Sequence, residues 1–255
     1  MRKISICVSV IGLVLVSAPA LQAQSPPEAR RGHQMDVYLD TVIADPYRWL
    51  EAMDAPEVRA WYDAQDAYTR TTLADVDGRT DIRERLAELV SLESYSAPQH
   101  RGVRYYYTYS DGRQNQAAVY VLNGPDDEHG ELLLDPNELS EDGSVVLRMT
   151  SPGPDGRYLA YGLAEGGSYW MSLRIRNVES RSDSPEVLRG LNSRFGGVAW
   201  SADGDGFYYA RFEAPEHGRE LQAAIEDHKV YYHRVGTPQE RDELVYERPD
   251  HSNWL

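Results

Sequence analysis

Ser151-Pro152-Gly153-Pro154-Asp155-Gly156-Arg157-Tyr158-Leu159-Ala160-Tyr161 is the stretch that decides how this 255-residue chain folds. Asp155-Gly156 is a hairpin signal: glycine takes positive φ without steric cost, and the aspartate satisfies its own turn backbone. The aromatic and apolar residues after it fit a pleated strand. The phrase returns about fifty residues later as Ser201-Ala202-Asp203-Gly204-Asp205-Gly206-Phe207-Tyr208-Tyr209-Ala210, and a looser copy, Arg101-Gly102-Val103-Arg104-Tyr105-Tyr106-Tyr107-Thr108-Tyr109, lies about fifty residues earlier. Strands recurring at that period predict a mainly β fold, a partial β-propeller. A β-sandwich with recurrent Asp-Gly turns is the alternative on the residues alone.

Working outward, strand patterns cover 103–109, 117–122, 131–134, 144–149, 158–163, 170–178, 186–188, 197–200, 207–212, 229–235 and 242–247. At four strands to a blade this makes roughly three blades over 95–255. A propeller hides its strand edges by closing radially, so three blades imply an open arc. The expectation is that the ring closes with further chain. Upstream the period is helical. One helix is expected from an Asp54 cap, with a stripe of Val58, Trp61, Tyr62, Gln65, Tyr68 and Thr72. A second is expected after Asp81, with Glu84 completing a capping box and Ile82, Leu86, Leu89 and Val90 buried. Residues 24–94 thus form a helical segment outside the repeat. Within it 24–34 reads as a disordered leader and Asp45-Pro46-Tyr47-Arg48-Trp49-Leu50-Glu51 as a buried anchor.

Residues 1–23 read as a signal peptide: Arg2 and Lys3, then an apolar run over Ile4–Val16, then small residues for cleavage. The run is too short to span a bilayer comfortably. A periplasmic or secreted protein is expected, with no membrane attachment after cleavage. Cys7, the one cysteine, would leave with the signal, and with it any disulfide or thiolate chemistry. The net charge of −15 lacks the basic footprint that nucleic acid requires. Eighteen Tyr against three Phe suggest sheet faces that are half wet.

Motifs for chemistry are scarce. Gly166-Gly167-Ser168-Tyr169-Trp170 begins like a nucleophile elbow, but Trp170 stands where the last glycine belongs, and the context is strand–turn–strand. There is no His-Glu-x-x-His, and no Lys-Ser or Lys-Thr follows Gly204-Asp205-Gly206, so neither a metal nor a phosphate cofactor is expected. His228 and His233 are five apart and point to opposite faces of a strand.

Longer phrases carry a resemblance. Asp45-Pro46-Tyr47-Arg48-Trp49-Leu50-Glu51, Gln114-Asn115-Gln116, Asp135-Pro136-Asn137-Glu138-Leu139, Tyr161-Gly162-Leu163-Ala164, Ala199-Trp200-Ser201 and Lys229-Val230-Tyr231-Tyr232-His233-Arg234-Val235-Gly236-Thr237-Pro238-Gln239 resemble, in this order, the N-terminal part of the prolyl oligopeptidase family of serine peptidases. Tyr169 departs from the acidic residue expected after Gly-Ser. The resemblance implies a seven-bladed propeller paired with an α/β-hydrolase domain, on which the N-terminal helical segment packs. It implies cleavage of short peptides after proline, with the propeller limiting access. The catalytic Ser, Asp and His would lie in the hydrolase domain, absent from this chain, which alone should be inactive. By resemblance Phe195 lines the substrate pocket; a core phenylalanine at a strand start is the other reading. A non-catalytic secreted propeller that binds peptide or protein is the rival function, and a related peptidase of basic-residue or dipeptidyl specificity a third.

Overall fold

A computed structural model describes residues 25–127, 129–215 and 223–252. The expected signal peptide lies outside the described residues. The described chain divides between Val76 and Asp77 into two compact units.

The first unit holds a hairpin, β1 (Met35–Tyr38) and β2 (Thr41–Ala44), a short 3-10 turn at Arg48–Glu51, and helix α1 (Pro56–Ala74). Pro56 opens α1, where its missing N–H is no loss. Ala55 occupies the cap position expected for Asp54, whose carboxylate pairs with Arg59 at 2.7 Å instead. Val58 is buried and Trp61, Gln65 and Tyr68 are half-buried, but Tyr62 and Thr72 face solvent. The leader is docked, contrary to expectation. Gln65 donates to the Pro27 carbonyl at 2.6 Å, Arg30 pairs with Glu57 at 2.7 Å, and Trp49 donates to the Arg30 carbonyl at 2.8 Å. The 45–51 anchor is half-buried at best, with Tyr47 40% exposed.

The second unit begins with helix α2 (Arg79–Val90). It starts ahead of Asp81 because Gly78, at φ 76°, takes the cap position, and the expected capping box does not form. Its apolar row is not buried: Ile82, Leu86, Leu89 and Val90 are all more than half exposed.

Three antiparallel sheets follow in chain order. The first contains β3 (Ser94–Tyr95), β4 (Gln99–Arg101), β5 (Arg104–Ser110), β6 (Ala118–Leu122) and β7 (Glu131–Leu134), with β3 and β4 both paired to β5. The second is β8 (Val145–Pro152), β9 (Tyr158–Glu165), β10 (Trp170–Asn177) and β11 (Leu188–Asn192). The third is β12 (Val198–Trp200), β13 (Gly206–Arg211), β14 (Lys229–Arg234) and β15 (Glu243–Glu247). Each is an up-and-down meander, so these are three propeller blades and not a sandwich.

The core lies between blades. Along β9, Leu159, Tyr161 and Leu163 pack with Tyr106, Val119, Val121 and Leu133 of blade 1, whereas Ala160 and Ala164 pack with Phe207 and Tyr209 of blade 3. The two-residue period of a strand sends alternate side chains to opposite faces, and the middle blade has a neighbour on each. The outer faces of blades 1 and 3 carry partly exposed tyrosines. On blade 1 Tyr107 stacks on Tyr120 and Tyr109 meets it edge-on, all half-buried, and on blade 3 Tyr208, 42% exposed, meets Tyr232.

The repeat in sequence reappears as bonds between blades. Tyr106 Oη donates to the Gly156 carbonyl at 2.9 Å, 50 positions away. Trp200 Nε1 donates to the Ser151 carbonyl, 49 away, and the Gly236 N–H to Glu186 Oε1, 50 away. Gln239 brackets Arg189, also 50 away, accepting from its N–H and donating to its carbonyl, both at 2.9 Å. The copies of the turn phrase lie side by side: a Cβ on Gly102, whose φ is +60°, would come 2.4 Å from the Asp155 carbonyl oxygen. Only glycine lets the turn of blade 1 approach the turn of blade 2 so closely.

Blade 2 is also fastened to blade 1 by Arg176, which donates to the Leu133 carbonyl at 2.7 Å and pairs with Asp183 at 2.8 Å. Tyr161 Oη donates to the same carboxylate at 2.9 Å. Burial, and then this bond to Asp183, push the Tyr161 hydroxyl up to about 12. Burial pushes the Asp183 carboxyl up, but the bonds from Arg176 and Tyr161 outweigh it and hold the carboxyl below its usual range. A depressed carboxyl contributes stability that is present above its unfolded value, about 3.9, and is lost as pH falls through the folded one. Asp183→Asn should therefore lower stability at pH 7 and shrink the loss between pH 5 and pH 3. Urea titrations at the three pH values measure it; an unchanged acid loss in the variant refutes the assignment.

Candidate functional site

Phe195 sits in the loop joining β11 to β12, and is 38% exposed. The loop is fixed by Asn192, which is buried: its side-chain oxygen accepts the Arg194 N–H at 3.0 Å and its carbonyl the Phe195 N–H at 3.2 Å. The Ser193 N–H donates to the Tyr169 carbonyl at 2.8 Å, tying this loop to the β9–β10 turn. Phe195 is thus an exposed aromatic on a hydrogen-bonded loop tied to Tyr169, and not a core residue of this chain. Ser168 in the adjoining turn is buried, with its Oγ accepting the Trp170 N–H at 3.0 Å. Among the described residues no histidine bonds it.

A buried polar cluster lies in blade 3. His233 is fully buried, with Nδ1 2.7 Å from Asp242 Oδ1. Asp242 also accepts from Tyr209 Oη at 2.6 Å. On the other side of the ring, Glu186 Oε1 is 4.0 Å from His233 Nε2 and accepts the Gly236 N–H at 2.7 Å. Burial, together with the bond to Asp242, raises the Tyr209 hydroxyl. The set carries an imidazole, two carboxylates and a phenol, and contains no serine or cysteine. It joins blade 2 to blade 3 through Glu186. The sequence signals only His233; its partners lie 9, 24 and 47 positions away, and no local spacing marks them.

His228 does not act with His233. It precedes β14, its ring stacks on Phe212 at 5.0 Å, and burial lowers its affinity for a proton. Among the described residues no three His, Cys, Asp or Glu side chains are placed to hold a metal ion. A cleft of about 550 Å³ between β11 and β13–β14 is lined by Arg189, Arg211, Lys229, Glu213, Asp227 and Tyr231, charges of both signs. Among the described residues no helix is long and apolar enough to cross a membrane.

Comparison with known proteins agrees with this geometry. Residues 26–255 match the family model described as prolyl oligopeptidase, N-terminal beta-propeller domain. The chain is 33% identical over 244 residues to a prolyl endopeptidase of Elizabethkingia meningoseptica, covering 96% of this chain and 34% of the relative. It is 32% identical to prolyl oligopeptidase A of Galerina marginata, covering 90% of this chain and 35% of that one. Among solved structures, one of two prolyl endopeptidases studied for inter-domain dynamics superposes with TM-score 0.74 at 31% identity, over 88% of this chain and 33% of the other. Prolyl oligopeptidase B of Galerina marginata, bound to a 35mer hydrolysis and macrocyclization substrate, gives TM-score 0.70 at 26% identity, over 90% of this chain and 34% of that one. The chain therefore spans about a third of the length of these relatives. With three blades, tyrosine-rich outward faces and a family model matched almost end to end, it belongs to the prolyl oligopeptidase family, as that family's N-terminal β-propeller portion.

Proposed function

We propose that this chain is the propeller-bearing part of a serine endopeptidase that cleaves short peptides after proline in the periplasm or outside the cell. The observation that carries the reading is the match of 26–255 to the propeller domain of a peptidase family. In this reading the nucleophile, base and orienting carboxylate belong to an α/β-hydrolase domain. The helical segment, residues 24–94, packs on that domain, for which the exposed row Ile82, Leu86, Leu89 and Val90 offers an apolar face. The propeller limits access to the chamber, and Phe195 gives the peptide an aromatic wall, since small-ligand pockets are mostly apolar with few polar groups.

The test has two arms. The purified 255-residue chain should not turn over a chromogenic proline peptide, and serine-inhibitor-sensitive turnover would overturn the assignment of roles. In the coding DNA, an open frame running past Leu255 into a Gly-x-Ser-x-Gly motif is the expected result. A stop codon with no such domain would instead favour a non-catalytic propeller that binds peptide or protein.

A further inference from the structure

Arg148 is the extra residue of a β-bulge. Leu147 pairs with Leu163 and Met149 with Gly162, so β8 gains one position on β9 at Arg148. Gly162 makes the room: a Cβ there would come 2.8 Å from Met149 Cγ and 2.6 Å from Met171 Sδ. Bulges re-aim side chains and are enriched beside functional sites. This one sets the Arg148 guanidinium 5.9 Å from the centre of the Tyr169 ring. Arg194 approaches the same ring at 4.9 Å and the Phe195 ring at 5.8 Å. Tyr169 is 48% exposed on a turn whose backbone is bonded in place, so its exposure is not the slack of a loose loop.

Two guanidinium groups therefore share one aromatic ring in a chain of net charge −15. Among the described residues neither makes an ion pair; Glu165, at the same end of the sheet, bonds to neither. Stacking on an aromatic face satisfies the plane of a guanidinium and leaves its N–H edge free for a carboxylate. Such an edge binds carboxylates in a forked, charge-assisted way.

We propose that Arg148, Tyr169 and Arg194 form a carboxylate-binding subsite beside Phe195, which selects peptides carrying an acidic side chain next to an apolar residue. The proposal rests on the reading that Phe195 faces the peptide. Tyr169 holds the two cations apart from internal acids, and Phe195 takes the apolar neighbour of the acidic residue. An acidic residue at position 169 would pair with both arginines and close the subsite, so Tyr169 decides the preference.

The experiment compares two fluorescein-labelled peptides with the 255-residue chain by anisotropy at low salt: a proline peptide with one glutamate, and the same peptide with glutamine. The glutamate peptide should bind about tenfold tighter, and the ratio should fall toward one in 0.5 M salt. Arg194→Gln and Arg148→Gln should each shrink the ratio several-fold. Arg101→Gln, at the opposite end of the sheets, should leave it unchanged. Equal binding of both peptides overturns the subsite and leaves the peptide-facing role of Phe195 standing. A ratio that survives both arginine changes also overturns it. Failure of both peptides to bind overturns the role of Phe195, and the subsite with it.

Discussion

Asp242→Ala is expected to lower the unfolding free energy by about 3 to 5 kcal/mol. The carboxylate accepts from Tyr209 Oη at 2.6 Å and lies 2.7 Å from His233 Nδ1. His233 is fully buried and Tyr209 nearly so. Removing the acceptor leaves a buried phenol and a buried imidazole nitrogen without it, and a stranded buried donor costs more than an average hydrogen bond contributes. Asp242→Asn keeps the shape and one acceptor oxygen, so it should cost less than half as much. Urea midpoints for the three proteins measure the series. Equal midpoints for Asp242→Ala and the parent would show that the cluster does not hold blade 3 together.

Phe207→Ala should cost about 3 to 4 kcal/mol through a different route, the loss of buried apolar volume. Phe207 is fully buried, and its ring centre lies 5.0 Å from Trp200, 5.2 Å from His233 and 6.1 Å from Tyr209. It belongs to the core shared with Leu173, Ile175 and Leu188 of blade 2, so the cavity would open at the junction of two blades. Phe207→Leu keeps most of the volume and should cost no more than about 1.5 kcal/mol. Denaturant unfolding gives the magnitudes. A red shift in tryptophan emission would report water reaching Trp200. A Phe207→Ala midpoint within error of Phe207→Leu would place the residue outside the core.

Much of the fold is legible in the chain, for a physical reason. Each blade packs on the next through equivalent positions, so the turn phrase must recur at the interval of the contacts; Tyr106 to Gly156 and Ser151 to Trp200 are that interval made into bonds. Helix existence is legible too, because Val58, Trp61, Gln65 and Tyr68 keep a helical period. Helix starts are less so. Gly78 in the left-handed region took the cap that Asp81 was expected to supply, and Ala55 the one expected of Asp54. What covers the α2 row is not legible, because periodicity says which side is apolar and not what packs on it. The docked leader left no trace, since a proline carbonyl accepting from Gln65 has no sequence signature. The site was least legible. Asp242 gives no sign that it serves a phenol 33 positions away, and a bulge at Arg148 depends on the missing side chain of a residue on the next strand.

Bonds that join residues about fifty positions apart also set a schedule for birth on the ribosome. A completed blade meets its next neighbour only after about fifty more residues have been added, which takes roughly 3 to 10 s at about 5 to 20 residues per second. Through that interval the face of β9 that ends up against Phe207 stands open to water and to other nascent chains. Slow codons placed after a blade would lengthen that exposure, and a chaperone that binds extended apolar strands would be needed most at those moments.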